Sequence, residues 1–182
     1  MDLLAWAALL SLAADCGRDV HPVTTAAIIQ VESQGNPLVI ADNTGRTSYT
    51  PHTPAQAVRL ANQLHQQGHS LDIGVMQINT QWLRPNHLSL EKLFDPCVNI
   101  AVGTGILAAA YRHALAQSDD QASALTRALS TYNTGSPTAG RAYVTRVVAA
   151  VRHTTPRDVV MRAPRAALSF TGEDSAALFF SP

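Results

Sequence analysis

The chain has 182 residues, with thirteen basic and thirteen acidic side chains that cancel, and 46% of its residues are hydrophobic against 14% charged. These proportions exclude a disordered or coiled-coil chain, and the charge balance leaves no global attraction for nucleic acid or an anionic membrane surface. At this length roughly 70% of the unfolded surface can be buried, so one domain with a tail folds without a metal or disulfide framework.

Helical patterning dominates in chain order. Leu3 to Ala14 is apolar apart from Ser11, too short for the ~20 residues of a membrane-spanning helix. The only charge before it is Asp2, where a signal peptide would carry a basic residue, so a signal segment is the weaker alternative. Leu3, Ala7, Leu10 and Ala14 recur at spacings of three and four, which predicts a packed amphipathic helix with Asp2 as its N-cap. Pro22 and Thr24 open a second helix to about Ser33, stopped by Gly35 and turned by Asn36-Pro37. Residues 38–53, rich in Thr, Asn, Gly and Pro, read as a loop or short hairpin. Pro54 starts a helix ending near Gly68, Leu71 to Ile78 is a short apolar stretch, and Asn79 to Leu83 resumes helix. Asn99 to Ala116 is the longest helix, with Ile100, Ile106, Leu107 and Tyr111 for its core face. Ala122–Tyr132 and Ala142–Val151 follow, separated by the loop 133–140. The expected class is mainly α with a small β or loop segment near 38–53 and 71–78. The core spans residues 1–153, and 154–182, which has no sustained period, is expected to be a flexible tail.

Chemistry that needs a glutamate has three candidates, because the chain has three Glu beside ten Asp. Glu91 stands next to Lys92 and Glu173 is in the tail, so both read as solvated. Glu32 follows Ile28 and Ile29 on an apolar helix face and sits in the last turn, where the helix dipole disfavours an anion. Both effects raise a carboxyl pKa, as a general acid near neutral pH requires. Gly74-Val75-Met76-Gln77-Ile78-Asn79 suits a cleft wall, with Gln77 and Asn79 supplying donors and acceptors and Val75 and Ile78 as anchors. Tyr132-Asn133 ends a helix before the Gly135 turn, where Asn133 can equally be a cap. Cys16 and Cys97 are either two buried thiols or one disulfide, and counting leaves both open. No zinc cluster is written in the sequence, and His65 and His69 lack further ligands, so neither metal nor cofactor is expected.

Taken together, Glu32-Ser33, then Gly74-Val75-Met76-Gln77-Ile78-Asn79, then Tyr132-Asn133-Thr134-Gly135 resemble the lysozyme-like soluble lytic transglycosylase family. Cys16 with Val20-His21-Pro22, Gly35-Asn36-Pro37, Gly68-His69-Ser70, Asp95-Pro96-Cys97-Val98-Asn99 and Ser136-Pro137 look like the transglycosylases of type IV secretion and conjugation systems. The resemblance covers about residues 3–151. One departure is Thr131, where many relatives carry Ala before Tyr-Asn, and its small size predicts no loss.

The resemblance implies cleavage of the β-1,4 bond between N-acetylmuramic acid and N-acetylglucosamine in peptidoglycan, giving a 1,6-anhydro sugar without net hydrolysis. Glu32 would serve as acid and then base, replacing the second carboxylate of ordinary glycosidases. Ser33, Gly74, Met76, Gln77, Asn79, Tyr132 and Asn133 would hold the sugar. The implied setting is the periplasm, where Cys16 and Cys97 would be oxidised to a disulfide, and the tail would meet secretion or pilus components. Two rivals stand beside this reading. One is a hydrolytic lysozyme using a second carboxylate, for which Asp72 is nearest the cleft motif but reads more simply as a turn residue. The other is a non-catalytic secretion-assembly module that binds peptidoglycan.

Overall fold

A computed structural model describes residues 3–118 and 120–154, so Asp2 and the tail from 155 onward, with its expected flexibility and its docking role, lie outside the described residues. The expected α-rich class holds, with six helices and one small antiparallel sheet among these residues. The chain forms two compact units, one made of residues up to Val31 together with those from Thr104 onward, the other of Glu32–Gly103.

The first unit contains α1 (Leu3–Cys16), nearly all of α2 (Pro22–Glu32), the second part of α4 (Pro96–Leu115), α5 (Gln121–Thr134) and α6 (Arg141–Thr154). Along α1 the buried positions are Trp6, Leu9, Ala13 and Cys16, whereas Ala7 and Ala14 are exposed. The expected stripe of Ala7, Leu10 and Ala14 is therefore rotated by about one residue. Both stripes keep helical spacing, and the one that buries an indole removes far more apolar area from water. α2 begins on His21. Its carbonyl accepts from the Thr24 and Thr25 N–H groups, and its ring Nδ1 accepts from the Val23 N–H at 3.2 Å. Burial pushes the His21 pKa below its ordinary value, which keeps the ring neutral and able to accept. In α4 the buried side chains of this unit are Thr104, Leu107, Ala108, Tyr111 and Ala114. Ile106, expected to join them, is only partly covered. The Arg18 N–H donates to Thr104 Oγ1 at 3.1 Å. Asp120 caps α5 by accepting from the Ala122 and Ser123 N–H groups, and α6 packs on α5 and buries Tyr143 and Val147.

The second unit is built on a four-stranded antiparallel sheet in the order β2 (Thr47–Tyr49), β1 (Ile40–Asp42), β3 (Leu71–Ile73), β4 (Ile78–Asn79). Register places Ile40 opposite Ile73 and Ile73 opposite Ile78 on the buried face, and Ala41, Asp72 and Asn79 in a row on the other. Residues 38–53 thus form the hairpin, and Asp72 lies in a strand rather than a turn. α3 (Pro54–Gln66) is amphipathic, capped by Thr53, and buries Ala57, Ala61 and Leu64 while packing on a short 3₁₀ turn, Leu90–Phe94. Residues 80–82 form another 3₁₀ turn in place of the expected helix resuming at Asn79. Asp42, 3% exposed, closes the hairpin: Oδ1 accepts from the Thr44 and Gly45 N–H groups and Oδ2 pairs with His69 Nδ1 at 2.8 Å. The Gly45 hydrogen bond above all, then those to His69 and Thr44, outweighs burial and holds the Asp42 pKa below the ordinary aspartate value.

α4 starts at Pro96, three residues before the expected Asn99, because the Asp95 carboxylate accepts from the Cys97 and Val98 N–H groups with Pro96 in the first turn. The only two cysteines are both disulfide-bonded, so Cys16 at the end of α1 is joined to Cys97 at the start of α4.

Candidate functional site

Glu32 is the last residue of α2, one turn beyond Ile28 and Ile29, which are wholly buried, and is itself partly covered. Two left-handed residues, Gln34 (φ 56°) and Gly35 (φ 84°), then reverse the chain. Ser33 holds the reversal, since its hydroxyl accepts from the Gly35 N–H at 3.2 Å and donates to the Val75 carbonyl at 2.8 Å. The residue beside the glutamate is thereby fastened to the turn 74–77.

That turn links β3 to β4 and is left-handed at both ends, with φ 82° at Gly74 and 51° at Gln77. A Cβ on Gly74 would collide with the Asn99 side chain and the Leu93 carbonyl, so only glycine fits on both counts. Asn99, wholly buried on α4, is the hub beneath the turn. Its Oδ1 accepts from the Met76 N–H, and its Nδ2 donates to the Ile73 and Leu93 carbonyls, each at 2.8 Å. Both amide hydrogens and the oxygen have partners, which is how a polar side chain is tolerated in a core.

The Gly74–Asn79 wall differs in detail from its sequence reading. The Met76 side chain is 0% exposed and packs against Gly103, so it supports the turn from below and offers no surface to a ligand. Gly74 is buried too. Gln77 is half-buried, and its amide hydrogens go to the Gly74 and Val39 carbonyls at 2.9 and 3.2 Å. Asn79 is engaged within the sheet. Its Nδ2 donates to Asp72 Oδ1 at 2.7 Å and Ser70 Oγ at 3.0 Å, and its Oδ1 accepts from the Gln81 N–H. Asp72 accepts on its other oxygen from Asn43 Nδ2 at 2.9 Å. It is a brace between two asparagines.

Tyr132 and Asn133 lie in the other unit, in the last turn of α5, with Tyr132 partly covered and Asn133 exposed. Gly135 closes that helix in the left-handed conformation (φ 71°), donating to the Thr131 carbonyl at 2.8 Å, so the cap is the glycine and not Asn133. Among the described residues no group of three or more His, Cys, Asp and Glu could hold a metal, and His69 is committed to Asp42. No helix among them is long and apolar enough to cross a membrane.

The profile of the transglycosylase SLT domain matches residues 10–147. Protein virB1 of Agrobacterium fabrum is 36% identical over 155 residues, which is 84% of this chain and 63% of that protein. Type IV secretion system protein virB1 of Brucella abortus is 36% identical over 160 residues, 84% of this chain and 67% of that protein. Protein virB1 of Rhizobium radiobacter is 35% identical over 149 residues, 80% of this chain and 61% of that protein. The chain thus spans about two thirds of the length of these relatives or slightly less. No solved structure matches it.

Proposed function

Because the chain belongs to the transglycosylase SLT domain family, we propose that it is a peptidoglycan lytic transglycosylase that opens the cell wall for a type IV secretion or conjugation apparatus. The observation that carries this is the setting of Glu32, a carboxyl at the negative end of α2 beside two wholly buried isoleucines, with its neighbour Ser33 pinned to the Gly74–Gln77 turn.

In the proposed reaction the protonated Glu32 carboxyl gives its proton to the glycosidic oxygen, which leaves as the 4-hydroxyl of N-acetylglucosamine. The carboxylate then takes the proton of the 6-hydroxyl of N-acetylmuramic acid as that oxygen bonds to C1. The carboxyl ends protonated again, the sugar is 1,6-anhydro, and no water is consumed. The Gln77 oxygen accepts from a sugar hydroxyl, and Tyr132 and Asn133 bind sugar in their own unit. Met76, Gly74 and Asn79 act indirectly, by shaping the turn and sheet. The relative in Brucella abortus is named as a type IV secretion system protein, which supports the secretion setting, and the disulfide suits export to an oxidising compartment such as the periplasm.

A hydrolytic lysozyme would need a second carboxylate, and Asp72, the one nearest the cleft motif in sequence, is engaged as a brace between Asn43 and Asn79. Mass spectrometry of soluble products from purified peptidoglycan decides between the two. An anhydro-muropeptide, one water lighter than the lysozyme product, is expected. Glu32→Gln should lower the rate at least about 100-fold, the low end for general acid–base catalysis. Reducing-end products would establish the lysozyme, and the absence of any product would favour a binding module.

A further inference from the structure

The loop that follows Tyr132-Asn133 is tied back to a residue that precedes them. Ser130, 2% exposed, donates its hydroxyl to the Ser136 carbonyl at 2.6 Å and accepts from the Gly140 N–H at 2.8 Å. The Gly140 backbone lies directly on it, since a Cβ there would come within 2.8 Å of the Ser130 Cα. A second tie is made by the Thr134 hydroxyl, which donates to the Ser130 carbonyl at 2.8 Å and accepts from the Ser136 N–H at 3.1 Å. The last turn of α5 and the loop from Gly135 to Gly140 are therefore stapled together at their base, and Tyr132 and Asn133 stand inside the stapled segment. The last turn of a helix otherwise frays, because its carbonyls lack partners along the helix.

We infer that Ser130 is a positioning residue for the glycan. Its buried hydroxyl orders the Tyr132–Asn133 rim before substrate arrives. This rests on the proposal that Tyr132 and Asn133 bind sugar. A rim ordered in advance lowers the entropy lost on binding, in the ground state and the transition state alike. The consequence is a change in KM with little change in kcat.

The test uses soluble uncross-linked peptidoglycan strands and four variants of the full chain. Ser130→Ala should raise KM about five- to tenfold with kcat held within about twofold. Ser130→Thr, which keeps the hydroxyl, should return KM to within about threefold of wild type, and Thr134→Val, at an exposed position, should raise it about two- to threefold. In a Tyr132→Ala/Asn133→Ala background, adding Ser130→Ala should change KM by less than about twofold, because its route to the glycan is already removed. An unchanged KM in Ser130→Ala, or in Thr134→Val should Ser130→Ala not fold, overturns the inference, as does full additivity with the Tyr132→Ala/Asn133→Ala pair. If that pair alone binds and cleaves like wild type, the sugar-binding role of Tyr132 and Asn133 falls instead, which separates the two failures.

Discussion

The Ser33 hydroxyl and the Val75 carbonyl meet at 2.8 Å across 42 residues of sequence, and this buried bond joins the end of α2 to the turn that carries Gln77. Through it the residue beside Glu32 is tied to the β3–β4 turn. Losing it leaves a buried carbonyl without its donor, which costs about 1–3 kcal/mol.

Ser33→Ala should therefore lower stability by that amount and reduce peptidoglycan cleavage, through displacement of the glutamate or of Gln77. Denaturant unfolding and product release measured on one preparation check both. Wild-type turnover together with wild-type stability would remove Ser33 from the site.

Gly74 and Gly68 offer an internal contrast. Both have left-handed φ, 82° and 85°, but a Cβ on Gly68 meets nothing within 4 Å while one on Gly74 meets Asn99 and Leu93. Gly68→Ala should cost about 1 kcal/mol, the backbone penalty alone. Gly74→Ala adds the collision with the Asn99 hub and should cost several times more. Equal losses in urea unfolding would contradict this assignment of the clash.

His21 makes stability depend on pH. Its pKa is lowered in the folded chain, so the unfolded chain binds more protons as pH falls below about 6.5, and the stabilisation present above that value is lost on acidification. The cause is burial, which disfavours the charged ring, and protonation also takes away the acceptor of the Val23 N–H. His21→Asn keeps a capping oxygen without a titration. It should flatten the stability profile between about pH 5 and 7 while leaving neutral stability nearly unchanged. An unaltered slope in that window would rule out His21 as its source.

Asp42 acts at lower pH. Its folded pKa is depressed, so its contribution is present above the unfolded value of about 3.9 and disappears as pH falls through the lower folded value. Asp42→Asn should weaken the protein at neutral pH and flatten the acid limb of its urea-unfolding midpoint below about pH 4. A steep limb surviving in the variant would point to other carboxylates.

Much of this was legible because local signals agreed. Pro22 and Gly35 bracket α2, Pro54 and Gly68 bracket α3, and Gly135 ends α5, each by backbone chemistry that needs no partner elsewhere in the chain. The setting of Glu32 among buried isoleucines followed from helical spacing. Asn99 was not legible in this way. Inside the helix beginning at Pro96 it is one amide among apolar residues, and its role appears only when β3, the 74–77 turn and Leu93 converge on it. Nor does the sequence show that two main-chain carbonyls take the Gln77 amide hydrogens, since Val39 lies 38 residues before it. The α1 stripe was ambiguous since two faces share one spacing, and the indole of Trp6 decides between them.

The disulfide turns residues 16–97 into a covalent ring, and the exposed, left-handed Arg46 at the tip of the β1–β2 hairpin lies inside it, as does the exposed Arg59. A protease that cuts once after either arginine opens the ring without dividing the molecule. Such a nicked protein migrates as one species on a non-reducing gel and as two fragments once thiols are added. Damage to this hairpin would stay hidden until the protein met a reductant.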